Sequence, residues 1–176
     1  MIELRDFTRN GIATIEFCEN DKNSAIIFYN EQKKQREVSW QELRNNIFKV
    51  SNFFINKDIK KNDRIAAILP NIPETVEAFL ACAQIGAIWS SCSSDFGPKA
   101  IIDRFKQIEP KILITSNYYF YNGKKINILE KVNKVLKGIL SIKKVLVFSY
   151  DKKEKLDLDD FLDFDEVINQ SDLDET

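Results

Sequence analysis

Short apolar runs alternate with stretches of helical spacing along this chain, and their order predicts a fold. Ser24–Tyr29 (SAIIFY) is rich in β-forming side chains, Glu31–Lys34 is a polar turn, and Arg36–Val38 follows, which reads as a hairpin. Ser39-Trp40-Gln41-Glu42 has the spacing of a capping box, in which the serine hydroxyl accepts the Glu42 amide while the glutamate reaches back. Such a cap contributes about 1 kcal/mol. Leu43, Ile47, Val50 and Phe54 then share one helical face, predicting a helix to Asn56.

From Arg64 onward the pattern becomes regular. Arg64–Leu69 (RIAAIL) is an apolar strand stopped by Pro70. Asn71 is placed to cap a helix with Pro73 and Glu74 in its first turn, a buried face of Val76, Phe79, Leu80 and Ala83, and Gly86 at its C-cap. Ala87–Ser91 is a short strand, and Asp95-Phe96-Gly97-Pro98 opens a helix with Ile101, Ile102, Phe105 and Ile108 on one side, ended by Pro110. Lys111–Thr115 is a strand, Asn117–Lys125 an aromatic-rich loop with an Asn122-Gly123 turn, Ile128–Ile139 a helix and Lys144–Phe148 a strand. Alternating helices and continuously apolar strands predict α/β architecture, an open, mostly parallel sheet with helices on both faces. Residues 1–150 are expected to build it. Residues 151–176 form an acidic tail with little to bury by itself, expected to lie as a surface helix or to fray.

Composition fits one globular domain. The chain has 176 residues, 44% hydrophobic and 30% charged, and at this length folding removes roughly 70% of the unfolded chain's accessible surface, enough for a core without disulfides. It contains no histidine, which removes serine-hydrolase, papain-like and His-ligated metal chemistry from this polypeptide. The net charge of −1 hides an asymmetry: residues 151–176 carry −8 and residues 1–150 carry +7. A basic body suits anionic ligands, although singly scattered lysines also read as a solvated surface. No nucleic-acid-binding module is recognisable.

Cys18, Cys82 and Cys92 are far apart and form no C-x-x-C, which argues against a disulfide framework or a zinc site and for a reducing, cytoplasmic setting. Glu3, Arg5 and Asp6 stand where a signal peptide needs an apolar core. The most apolar stretch, Ala78–Trp89, falls short of the roughly 20 residues that span a bilayer, so no transmembrane helix is expected.

The usual phosphate loops are missing, since the five glycines are spread too widely for G-x-G-x-x-G or G-x-x-x-x-G-K-[ST]. Open parallel sheets bind ligands at the carboxyl ends of their strands, here Leu69–Ile72, Ser90–Asp95 and Ser116–Lys124. Ser90–Ser94 (SSCSS) offers hydroxyls and a thiol, but it also reads as a helix-capping loop, and Cys92 has no adjacent base to make it a nucleophile. Tyr118–Lys124 (YYFYNGK) offers aromatic faces and a lysine to a base and a phosphate, or alternatively folds over a sheet edge. Asp103-Arg104 reads as part of a helix-face ion pair.

Several of these segments together resemble a family. Leu69–Glu74 (LPNIPE), Gly86–Gly97 (GAIWSSCSSDFG), Asp103-Arg104-Phe105, Gln107–Lys111 (QIEPK) and Tyr121–Lys124 (YNGK) are similar to the adenylate-forming acyl-CoA synthetases, and within them to the acetoacetate–CoA ligase (acetoacetyl-CoA synthetase) branch. LPNIPE is shared broadly, whereas IWSSCS-x-DFG with YNGK is characteristic of the acetoacetate branch; Ser94 stands where that motif carries proline. The likeness runs from Ser24 to Tyr150 and more weakly into the tail.

The resemblance implies part of a large N-terminal α/β domain. It implies an enzyme that uses ATP and Mg2+ to convert acetoacetate to an acyl-adenylate and then transfers the acyl group to CoA. It aligns Ser94 and Asp95 with a loop of the CoA pocket, and Gly123 and Lys124 with a motif reaching the nucleotide end of CoA. The family's phosphate loop, adenine and ribose contacts and catalytic lysine lie beyond the region seen here. The expectation is therefore a ligase fragment, inactive alone, whose partner would be a separately encoded remainder. A small non-catalytic CoA- or nucleotide-binding module, or a structural α/β module, is the alternative.

Overall fold

In the computed structural model the described residues are 22–31, 35–150, 161–164 and 166. Two strands, β1 (Ser24–Tyr29) and β2 (Gln35–Ser39), pair antiparallel as the expected hairpin. The helix α1 (Trp40–Asn56) follows directly, with the Ser39 hydroxyl accepting the Glu42 amide at 3.1 Å.

The central sheet contains β3 (Arg64–Ile68), β4 (Ile88–Cys92), β5 (Ile112–Ser116), β8 (Lys144–Phe148) and β9 (Leu162–Asp163), in the order β4-β3-β5-β8-β9. Every adjacent pair is parallel. Three helices connect its strands: α2 (Pro73–Gln84), α3 (Pro98–Phe105) and α4 (Leu129–Gly138). The chain steps outward from β3 to β4, then back across β3 to β5 and on to β8. Right-handed crossovers with opposite directions of travel place their helices on opposite faces.

The two hydrophobic clusters show that result. Ile65, Ala67, Ile112, Ile114, Leu146 and Phe148 pack towards α1 and α2. Their neighbours Ala66, Ile68, Leu113, Val145 and Val147 pack towards α3 and α4. Alternate residues of each inner strand are thus buried on opposite sides, which is why these strands are continuously apolar. The edge strand β4 differs, with Ile88 exposed. On the second face α3 and α4 approach closely at Gly138, where an added Cβ would stand 2.7 Å from Ile102 Cδ1.

Four expectations need correction. The N-cap of α2 is Ile72 rather than Asn71, and no side chain caps it. Its buried face is Ala78, Leu80, Ala81 and Cys82 together with Glu74 and Glu77, whereas Phe79 is exposed and Val76 and Ala83 are partly so. Two carboxylates turn the helix: Glu74 pairs with Arg36 at 2.6 Å and Glu77 accepts from Asn46 Nδ2 at 3.0 Å. Phe79 is left to lean edge-on against Trp89, with centroids 6.0 Å apart.

The aromatic-rich loop is a second hairpin, β6 (Tyr118–Tyr121) and β7 (Lys124–Asn127). The acidic tail supplies β9, and Phe164 is buried against Phe148 at 3.8 Å between centroids. Residues 151–160 and Cys18 lie outside the described residues. Among the described residues, no helix is long and apolar enough to cross a membrane.

Candidate functional site

The connections leaving β3 and β5 run to opposite faces of the sheet, which opens a crevice at their carboxyl ends, the place where such sheets take ligands. A cavity of about 550 Å³ lies there. One wall is Leu69, Pro70 and Asn71 at the exit of β3, with Thr75 from the first turn of α2; the second is Ser91–Phe96, between β4 and α3, with Arg104; the third is Tyr119, Phe120 and Tyr121 of β6. Thr75 Oγ1 donates to the Pro70 carbonyl at 2.8 Å and holds the first wall to its helix.

The Ser91–Phe96 wall is not a helix cap. The N-cap of α3 is Gly97, and no side chain caps the helix. Its shape is held instead from across the sheet face, where Lys131 Nζ donates to the Ser94 carbonyl at 2.6 Å. Ser94 is buried, and its hydroxyl oxygen has no hydrogen-bond partner among the described residues. Leaving such a group unpaired costs about 1–3 kcal/mol.

Burial holds Lys131 below the usual lysine range, while the Asp95 charge pulls it back up. Burial pushes the Cys92 thiol to about 11 despite the opposing Arg104 and Lys131 charges. Cys92 is therefore a neutral thiol near pH 7 and no nucleophile. Burial, with Asp95 nearby, also raises the Tyr119 phenol, which stays a neutral donor. Arg104 lies over the Phe96 ring at 5.5 Å.

The third wall is an aromatic hairpin. Tyr118, Phe120 and Tyr150 pack with centroids 5.2–5.7 Å apart, and Lys125 sits over Tyr118 at 3.8 Å. Asn117 Oδ1 accepts from the Tyr118 and Tyr150 amides at 2.9 and 3.0 Å, which ties the start of the hairpin to the end of β8. Asn122 (φ 50°) and Gly123 (φ 72°) are both left-handed, as a two-residue hairpin turn demands. The Glu31 carboxylate accepts from both of their amides, at 3.1 and 2.8 Å.

Of the residues singled out in the sequence, Ser94 and Asp95 stand in the cavity wall, Ser94 buried and Asp95 exposed. Gly123 and Lys124 are exposed at the hairpin tip, just beyond Tyr121, which does line the cavity. Sequence reasoning missed Thr75, Lys131 and the contribution of Arg104. Arg104 lay in a noted tripeptide but was read as an ion-pair member, and Lys131 carries no local signal because its partner is 37 residues away.

Guanidinium, hydroxyl and aromatic faces around one cleft can bind and orient an anionic, partly planar ligand. They include no activated nucleophile. Among the described residues no group of three or more His, Cys, Asp or Glu side chains converges on a metal position, and no step is assigned to a metal.

Comparison with known proteins gives the same direction. Residues 16–174 match the family model for AMP-binding enzymes. The acetoacetyl-coenzyme A synthetase of Rhizobium meliloti (strain 1021) is 40% identical over 144 residues, covering 79% of this chain and 22% of that protein. The Xenopus tropicalis acetoacetyl-CoA synthetase is 40% identical over 163 residues, covering 87% of this chain and 24% of its own length. The solved structure of the acetoacetyl-CoA synthetase from Streptomyces lividans superposes with a TM-score of 0.78 at 30% identity, over 84% of this chain and 22% of that one. This chain spans about a fifth of the length of the curated relatives it matches. By that match and that superposition, the chain belongs to the AMP-binding enzyme family and is acetoacetyl-CoA synthetase-like.

Proposed function

We propose that this chain supplies one wall system of the CoA pocket of an acetoacetate–CoA ligase. In the full reaction the acetoacetate carboxylate attacks the α-phosphorus of ATP and releases pyrophosphate. The CoA thiolate then attacks the acyl carbon of the adenylate and releases AMP. Neither bond-making step is assigned to a residue here. Ser94 and Asp95 line the pocket with Lys131 bracing the Ser94 carbonyl, Arg104 supplies positive charge to phosphate, and Tyr119–Tyr121 offer faces to a base. Gly123 and Lys124 extend the same surface outward at the hairpin tip.

The observation that carries this reading is the cavity at the carboxyl ends of the parallel strands, one wall of which, Ser91–Phe96, lies within the segment that resembles the acetoacetate branch. In this reading residues 1–150 carry most of the α/β unit, and 151–176 lead on from it after adding β9 and Phe164 at its edge. The 176 residues contain no phosphate loop and no catalytic lysine in the family's pattern. In this reading the phosphoryl oxygens are stabilised by groups of the ligase outside these 176 residues.

Calorimetric titration of the 176-residue chain with CoA is expected to show saturable binding, and acetoacetate-dependent pyrophosphate release to be undetectable. A flat titration removes the pocket assignment. Steady pyrophosphate release removes the assignment of inactivity.

A further inference from the structure

At the tip of the β6–β7 hairpin a pair of backbone amides holds a carboxylate. The amides of Asn122 and Gly123 both point at the carboxylate of Glu31, one to each oxygen, at 3.1 and 2.8 Å. The tight turn directs its two successive N–H groups at one carboxylate, and successive amides in a turn can form a concavity that binds anions. Lys124 follows immediately in the chain, and Tyr121, just before the turn, lines the cavity.

Glu31 itself comes from just beyond β1, more than ninety residues away in sequence. The contact lies at the surface, so a side-chain rotation is enough to break it. The hairpin has its own pairing, with β6 and β7 in register from Tyr118 opposite Asn127 to Tyr121 opposite Lys124.

We propose that Glu31 is an internal competitor for this amide pair, a carboxylate standing where a ligand phosphate binds, so that phosphate enters only as Glu31 swings out. The proposal deepens the CoA-pocket reading and rests on it for the identity of the ligand. The exchange itself needs only an oxyanion. The glutamate holds the amide pair closed to solvent anions, and the fraction of molecules with Glu31 released sets the apparent affinity.

The test compares the full chain with Glu31→Ala and Glu31→Gln, 15N-labelled, titrated with inorganic phosphate and separately with CoA. In Glu31→Ala, phosphate is expected to move the Asn122 and Gly123 amide resonances saturably, with little movement in the parent. CoA is expected to bind about tenfold tighter than to the parent, with Glu31→Gln intermediate. The Tyr119 and Ile126 amides report whether the hairpin stays formed; where Glu31→Ala loses it, Glu31→Gln decides.

A phosphate response at Asn122 and Gly123 with no CoA binding by any form supports the competition and removes CoA as the ligand. Equal CoA binding with no phosphate response overturns the competition and leaves the CoA reading standing. Weaker CoA binding in the variants also overturns it, because Glu31 would then be a brace for the site.

Discussion

The two ends of the parallel strands are built differently. At the amino ends the loops are braced to one another. Arg64 Nε donates to the Ile108 carbonyl at 2.6 Å and its Nη2 to the Glu109 carbonyl at 3.2 Å, while Lys111 Nζ meets Asp63 at 2.7 Å. Backbone bonds continue the ladder past the strands, from Ile88 to Asp63, from Lys111 to Arg64 and from Lys143 to Lys111.

At the carboxyl ends the strands part around a cavity, and the buried hydroxyls of Ser94 and Ser116 have no hydrogen-bond partner among the described residues. One such hydroxyl, Ser141, lies at the amino side, before β8. The same five strands therefore carry stability at one end and unsatisfied chemistry at the other. A binding cleft cannot saturate its own polar groups and still have bonds to offer.

The comparison can be broken by substitution. Ile65, fully buried at the amino end of β3, is the severest site: Ile65→Ala is expected to cost about 3 kcal/mol. Its Tm should fall by roughly 6–12 °C while CoA affinity per folded molecule is unchanged, as read by calorimetry together with titration. A fall in intrinsic affinity would show that the two ends are coupled.

Asp63→Asn is expected to cost about 1–2 kcal/mol by removing the Lys111 ion pair and weakening the Lys60 amide bond. Its pH signature separates it from the core substitution. Burial works to raise the Asp63 carboxyl, but the Lys111 hydrogen bond, the Lys60 amide and the Lys111 and Arg64 charges together hold it below its ordinary value. A depressed folded-state value means stabilisation that is full above the unfolded pKa, roughly 3.9, and lost as pH falls through the lowered folded value. The difference in urea midpoint between parent and Asp63→Asn should therefore be present at neutral pH and shrink in acid.

The smallest effect is expected at Ser94. Ser94→Ala removes a buried hydroxyl without a partner, so stability should hold or rise, within about 1 kcal/mol, while CoA binding weakens by about threefold. Stability and affinity moving in opposite directions would sharpen the contrast between the ends. Both falling together would erase it.

The sheet was legible because its inner strands carry unbroken apolar runs, Ile65–Ile68, Ile112–Ile114 and Val145–Phe148, and burial on both faces asks for that. The Ser39 cap was legible because the interaction is local. What escaped was decided by distant partners. The buried face of α2 is turned by Arg36 and Asn46, which no periodicity within residues 73–84 can report.

The Asn122-Gly123 turn was visible in the sequence, yet its flanks were read as a loop, because Tyr118–Tyr121 show no apolar–polar alternation and Lys124-Lys125 look solvated. The two-residue strand β9 hides in an acidic segment whose one decisive side chain is Phe164. In the site, Ser94 and Asp95 were found through a motif, whereas Lys131 and Glu31 reach it only through the fold.

The close approach of α4 to α3 has a consequence for how this sequence can drift. A methyl at position 138 would stand 2.7 Å from Ile102 Cδ1, closer than real contacts, with two more Ile102 carbons tight against it at 3.0 and 3.1 Å. The two positions therefore share one allotment of volume. Relatives that carry alanine at the first are expected to carry valine or a smaller residue at the second, as a covarying pair.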